Sequence, residues 1–404
     1  MIGKDFFKSG HTPTLFSAFL YFDMSFMVWV LLGSLGVAIA KTMGLSPAQK
    51  GLMVAVPVLA GAFFRVINGV AVDRIGPRRA GIISQVVVIA GLIAAWALGV
   101  HTFGQVLLLG LVLGVAGSSF AIALPLASRW YPARYQGVAL GIAGAGNSGT
   151  VLASLFAPAL AVAFGWRNVI GLAVLPLSAA LLVFLACAKD SPEQPPAKSA
   201  LDYFSVLKTA DAWWFMLFYA VTFGGFVGLS SSLTIYFNSE YHLGAVVAGF
   251  FTAACVFAGS LFRPVGGALA DRVGGVRTLS IMYLVAAAAL VLASFTLPSI
   301  WAAVAVLIVG MGALGMGNGA VFQLVPQRFR NEIGVMTGLV GMTGGVGGFY
   351  LASSLGLSKQ FTGTYQLGFL GFAVLALCAF AVLIAVKTQW RASWAAAAAT
   401  TARV

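Results

Sequence analysis

Gly61-Ala-Phe-Phe-Arg65, followed by Gly69 and Asp73-Arg-Ile-Gly76, returns later in the chain as Gly259-Ser-Leu-Phe-Arg263, Gly267 and Asp271-Arg-Val-Gly274. Every matched residue is displaced by 198 positions, as 65 is from 263 and 73 from 271. In each copy an arginine precedes an aspartate by eight residues, about 12 Å along a helix that rises 1.5 Å per residue. The surroundings are apolar, so each copy holds a cation deep within what reads as a membrane span. The chain is therefore a duplication, and both copies repeat the same anomaly.

Composition sets the solvent. The 404 residues are 60% hydrophobic and 8% charged, and mean hydropathy is +0.99. A water-facing globular surface cannot be built from that mixture. A bilayer core is crossed by about 20 apolar residues, and twelve such stretches fit: Thr14 to Ala40, Ala48 to Val72, Ala80 to Val100, Gln105 to Ser128, Gly137 to Phe164 and Val169 to Ala188 in a first set. The second set is Trp213 to Phe237, Val247 to Ala270, Leu279 to Thr296, Trp301 to Val325, Gly334 to Leu357 and Leu367 to Val386. The 49 glycines suit such a bundle, because small residues let transmembrane backbones approach closely. The expected fold is all-α, with twelve transmembrane helices in two pseudo-symmetric six-helix bundles.

Between the sets runs Lys189-Asp-Ser-Pro-Glu-Gln-Pro-Pro-Ala-Lys198, polar and proline-rich as a linker is. The expected organisation is a bundle over residues 1–188, a cytoplasmic linker over 189–210, a second bundle over 211–388 and a tail over 389–404. Lysine and arginine fix the orientation. With the amino terminus inside, the outer segments hold only Lys41, Lys50, Arg167 and Lys359, and Arg65 and Arg263 lie within spans. The rest of the 23 basic residues are cytoplasmic, which by the positive-inside rule puts both termini in the cytoplasm of an inner membrane. The net charge of +13 is thus a topology signal, and no basic stripe interleaved with aromatics suggests nucleic acid.

Other chemistry is sparse. Cys187, Cys255 and Cys378 have no metal-site spacing and read as packing residues. His11, His101 and His242 fall in the tail or outer loops, and no phosphate-binding loop ending in Lys-Ser or Lys-Thr occurs. Neither a cofactor site nor a catalytic constellation is expected, so ion or solute gradients must drive any work.

The buried charges carry the functional reading. Arginine at a helix centre costs about 2.5–3.5 kcal/mol to insert and cannot shed its proton. Of the ten acidic residues only Asp23 lies inside an apolar span. Two cations with at most one acidic partner imply that the substrate is itself the counter-ion. A guanidinium is a planar fork of donors, which fits nitrate, nitrite or a carboxylate better than a spherical ion. Duplicated halves related by an axis along the membrane normal bind solutes near the midplane, where the halves meet.

Span five reads Gly141-Ile-Ala-Gly-Ala-Gly-Asn-Ser-Gly149, and span eleven reads Gly338-Leu-Val-Gly-Met-Thr-Gly-Gly-Val-Gly-Gly348, an offset of 197. So many glycines within helices suggest close backbone approach, either to another helix or to a small ligand.

The segments Gly69 to Arg79 and Gly267 to Arg277 resemble the loop motif of the major facilitator superfamily. The two glycine runs resemble the paired nitrate signatures of its nitrate/nitrite porter (NarK-like) family. Further similarity lies in Phe22-Asp-Met-Ser-Phe-Met-Val-Trp-Val-Leu-Leu-Gly33, Tyr219-Ala-Val-Thr-Phe-Gly224 and Gly315-Met-Gly-Asn-Gly-Ala-Val-Phe-Gln-Leu-Val-Pro326. The resemblance implies that Arg65 and Arg263 clamp the anion, that Asn147 and Tyr219 donate hydrogen bonds to it, and that Phe120 and Phe223 sandwich it. It also implies that Gly144, Gly146, Gly344 and Gly345 bring backbone close to the site. Asp73, Arg74, Asp271 and Arg272 would form a breakable gating latch, and the superfamily resemblance implies a functional monomer.

The mechanism expected is alternating access about a fixed site. Asp23 either carries a coupling proton, pairs with an arginine in the empty state or is a structural acid. The short linker and the Phe22 to Phe26 run look more like the proton-symport branch of the family than its nitrate/nitrite antiporters. Rival readings are an exchanger of oxalate- or formate-like carboxylates and a transporter-like nitrate sensor.

Overall fold

The computed structural model describes residues 4–192, 205–329 and 333–397. Of the expected linker, residues 193–204 lie outside the described residues, as do 398–404 of the expected tail. Among the described residues every regular element is a helix. Among the described residues eleven helical segments are long and apolar enough to cross a bilayer. Spans two to six are Pro47–Ile75, Pro77–Leu98, Phe103–Ser128, Val138–Phe164 and Trp166–Cys187. Spans seven to twelve are Ala210–Tyr241, Ala245–Val273, Gly275–Ser294, Ile300–Arg328, Val335–Thr362 and Gln366–Trp390. They account for five spans of the first expected set and six of the second, so the chain is a multi-pass membrane protein.

The first expected span is different. The sequence reads as one helix over Thr14 to Ala40, whereas three pieces are found, Thr12–Trp29, Leu31–Ser34 and Gly36–Met43, interrupted at Val30 and Leu35. Tertiary packing accounts for the break. A Cβ on Gly33 would lie 2.2 Å from the Ser231 carbonyl oxygen, and one on Gly36 would lie 2.6 Å from Ile235. The interrupted stretch is pressed directly onto span seven. Spans two and eight also overrun their expected ends, so Asp73 and Asp271 lie in the last helical turns rather than in loops.

The halves meet along spans two with eleven and five with eight, and glycine makes the approach possible. On the side of Tyr241, Gly51 and Gly356 pack backbone to backbone: a Cβ on Gly51 would lie 2.8 Å from Gly356 Cα, and one on Gly356 would lie 2.7 Å from Gly51 Cα. Gly249 of span eight sits against the Ser154 carbonyl and the Pro158 ring of span five. Proline has no N–H to take the carbonyl four residues back, so Pro158 leaves Ser154 without its regular helical partner.

Candidate functional site

Span two delivers Arg65 and span eight delivers Arg263, 1% and 9% exposed respectively. Arg65 is tied to backbone. Its Nε donates to the Gly117 carbonyl at 3.2 Å, and its Nη1 donates to the Gly341 carbonyl of span eleven, across the interface between halves. Span four explains the first bond. Its helix breaks at Ser118 and Ser119, and the Ala121 N–H, which a regular helix would direct at Gly117, turns to Ser118 at 2.9 Å. The break thus opens a carbonyl to the guanidinium. Arg65 Nη2 and Arg263 Nη1 are buried without hydrogen-bond partners.

Aromatic rings enclose both cations. The Arg65 guanidinium carbon lies 4.8 Å from the Phe223 ring centre, 5.2 Å from Trp29 and 5.5 Å from Phe120. That of Arg263 lies 5.7 Å from Phe120 and 5.6 Å from Phe322. Phe120 therefore touches both arginines, and such faces attract a desolvated cation by roughly 2 kcal/mol. Tyr219 stacks on Phe223, centroids 5.1 Å apart, and its buried hydroxyl lies within electrostatic reach of both arginines. Asn147 is buried on a 3-10 turn, Ala145–Ser148, that interrupts span five, and both ends of its amide are unpartnered. The turn is anchored across the halves, where Ser260 Oγ donates to the Asn147 carbonyl at 3.4 Å.

The four site glycines divide. A Cβ on Gly344 would lie 2.8 Å from both Tyr219 and Phe223, so the stacked rings lie on its bare face. Gly146 packs on Phe22, and Gly345 packs on Ala62 and the Val58 carbonyl. Beside Gly144 there is open space within 4 Å. Asp23 is not with the arginines: its carboxylate accepts from Ser148 Oγ at 2.6 Å, where spans one and five touch. Among the described residues the ion pairs are Asp73–Arg129, Asp211–Arg328 and Glu240–Lys359, so neither site arginine has a carboxylate partner.

The expected latch is unequal in its two copies. Asp73 binds Arg129 at 2.9 Å within the first half, whereas Asp271 and Arg272 are exposed and the second half joins Arg328 to Asp211 at 2.5 Å instead. Residues left without roles by sequence reasoning also enter the site. Trp29 rests on Gly61 and Gly117, its Nε1 donating to the Pro57 carbonyl at 2.8 Å, and Phe322 meets Tyr219 edge-on at 5.0 Å. Asn318, four residues before Phe322, is fully buried with an unpartnered amide. Their only signal was membership of the runs Phe22 to Gly33 and Gly315 to Pro326.

Chemically this is a buried cationic site with unused hydrogen-bond donors. It suits an anion small enough to fit between rings and offering several oxygens.

Residues 16–352 match the Major Facilitator Superfamily model. The chain is 30% identical to the "Nitrite extrusion protein" of Bacillus subtilis, over 91% of this chain and 92% of that one. It is 34% identical to the "Probable nitrate/nitrite transporter NarK2" of Mycobacterium tuberculosis, over 88% and 91%. Among solved structures, a bacterial homologue of the human lysosomal transporter Spinster, inward-facing and occupied, superposes with a TM-score of 0.70 at 17% identity, covering 93% of this chain and 96% of that one. That likeness concerns the fold alone.

Proposed function

Since the chain belongs to the Major Facilitator Superfamily and, within it, to the nitrate/nitrite porter family, we propose that it carries nitrate and nitrite across the bacterial inner membrane by alternating access. The observation that supports this most directly is the pair of facing arginines, each with a buried, unpartnered N–H and neither with a carboxylate. A planar oxyanion would accept from Arg65 Nη2, Arg263 Nη1, the Tyr219 hydroxyl and the Asn147 amide. Phe120 and Phe223 would cover its faces and exclude water. Such charge-assisted bonds are roughly twice as strong as neutral ones. The anion also relieves the repulsion between two cations in a low dielectric.

With both termini in the cytoplasm, the tight contacts at Gly51–Gly356 and Gly33–Ser231 form the outer closure. The way out to the cytoplasm then runs along span five, past the open face of Gly144 and the exposed Gly141. The bundles of residues 1–188 and 211–388 would rock about the arginines, each monomer acting alone. Asp73 with Arg129 would brace the cytoplasmic end, with Arg74, Asp271 and Arg272 available to the opposite state.

Asp23 favours proton symport over simple exchange. It is a buried carboxylate on the broken span one, joined through Ser148 to the turn that carries Asn147. Protonation there would alter how the turn is held. The test is uptake of labelled nitrate into proteoliposomes, with and without internal nitrite and with an imposed proton gradient. Gradient-driven accumulation without internal anion is the expected result. Acceleration only by internal nitrite would make the protein an antiporter, and no uptake in any arm would overturn the transport reading.

A further inference from the structure

We propose that Asn318 is a further anion-site residue, whose amide carbonyl steadies Arg263 and whose amide N–H donates to the bound anion. The proposal rests on the central-site reading above and adds a residue to that site.

Arg65 and Arg263 are held unequally. Arg65 gives two of its donors to carbonyls of Gly117 and Gly341. Arg263 has aromatic neighbours in Phe120 and Phe322, yet its Nη1 is buried without a hydrogen bond. A forked donor that must grip an anion needs an acceptor behind it, as Arg65 has.

Asn318 is the available acceptor. It lies on span ten, four residues before Phe322 and hence on the same helix face. That ring meets both the Arg263 guanidinium, at 5.6 Å, and Tyr219, at 5.0 Å. One turn earlier in the helix, Leu314 of the same face packs on Gly225 of span seven. Span ten also runs hard against the backbone of Arg263: a Cβ on Gly319 would lie 2.2 Å from the Arg263 carbonyl. Asn318 thus lies on the face of span ten between two residues that meet span seven, and next to the residue that packs on the Arg263 backbone. It is fully buried, and both its Oδ1 and Nδ2 lack partners. An amide kept in such a place without partners destabilises the fold. A leucine of similar size would remove that cost, so the amide is explained by a ligand rather than by packing. Oδ1 can take only a donor, which the second N–H of Arg263 Nη1 would supply in the anion-bound state, the first being given to the anion, and Nδ2 can serve only an acceptor, which the anion would supply.

The test uses the full-length protein purified with Asn318→Leu, with Arg263→Ala in parallel. Nitrate Kd is measured by calorimetry, KM and Vmax in proteoliposomes, and Tm with and without nitrate. The expected result for Asn318→Leu is a rise in Kd and KM of about tenfold or more, a smaller nitrate-induced rise in Tm, and an anion-free Tm at or above the parent's. A parent-like Kd and nitrate-induced Tm rise in Asn318→Leu would overturn the proposal, and so would a fall in anion-free Tm with unchanged Kd. If Arg263→Ala loses nitrate binding while Asn318→Leu keeps it, the central site stands without Asn318. If Arg263→Ala also binds like the parent, both readings fall. Should Asn318→Leu not fold, Asn318→Ser takes its place in the same measurements: weakened nitrate binding supports the proposal, and a parent-like Kd overturns it.

Discussion

Arg65 Nη1 donates to the carbonyl of Gly341, so a side chain from the first half of the molecule is bonded to the backbone of the second. The same guanidinium also holds Gly117 of its own half. Arg65 is therefore at once a wall of the anion site and a tie between the parts that must move. Arg263 has no such tie, which makes lysine substitutions informative. Arg65→Lys keeps the charge but gives up the planar fork that reaches two carbonyls and an anion together. It should lose both affinity and transport rate, with nitrate KM raised about 10–150-fold for one charge-assisted bond lost, worth about 1.5–3 kcal/mol. Arg263→Lys should raise KM with a smaller fall in Vmax. Uptake kinetics in proteoliposomes separate the two.

Glycine substitutions should divide according to what faces each one. Gly149→Ala drives a methyl to 1.7 Å from the Asp23 carbonyl oxygen, backbone that cannot swing away. Overpacking of this kind costs about 1–3 kcal/mol or more, and the variant should show sharply reduced membrane yield and Tm. Gly344→Ala meets the rings of Tyr219 and Phe223 at 2.8 Å. It should fold and yet bind nitrate several-fold more weakly. Gly144→Ala faces open space and should match the parent in Tm.

Asp23→Asn preserves the shape of the group that accepts from Ser148 but removes its capacity to ionise. Nitrate binding should persist, and nitrate-dependent proton entry, followed with an internal pH dye, should disappear. Unchanged proton entry would take Asp23 out of the coupling.

Asp73 and Arg129 are mostly buried, at 13% and 15% side-chain exposure, and pair at 2.9 Å between the ends of spans two and four. Breaking a buried pair from one side leaves a charge uncompensated, at a cost of about 3–5 kcal/mol if fully buried and less here. Asp73→Asn should lower Tm and transport rate, while Asp73→Arg combined with Arg129→Asp should recover part of both. Thermal melts and initial uptake rates report the two effects.

Much of this molecule is legible in its sequence, and the reasons are physical. Apolar length marks spans two to twelve because nothing else satisfies a backbone in hydrocarbon. A permanently charged side chain in such a span has few explanations, so Arg65 and Arg263 stand out at once. What the sequence does not carry are features made by neighbours. The interruption of span one at Val30 and Leu35 has no proline and follows from contact with Ser231 and Ile235. Gly117 and Gly341 act through carbonyls, which every residue has. Trp29 and Phe322 resemble ordinary packing in an apolar helix until a guanidinium is found against each. Asn318 lies within the Gly315 to Pro326 run without a role of its own there, because burial and an unpartnered amide are properties of the fold alone.

The most direct measurement is nitrate binding to the purified protein by isothermal titration calorimetry, parent against Arg65→Gln combined with Arg263→Gln, with circular dichroism and Tm recorded for both. The expected result is saturable binding by the parent and none by a double variant that is still helical and melts cooperatively. Nitrate bound by that variant with the parent's affinity would contradict the claim that these two cations hold the anion.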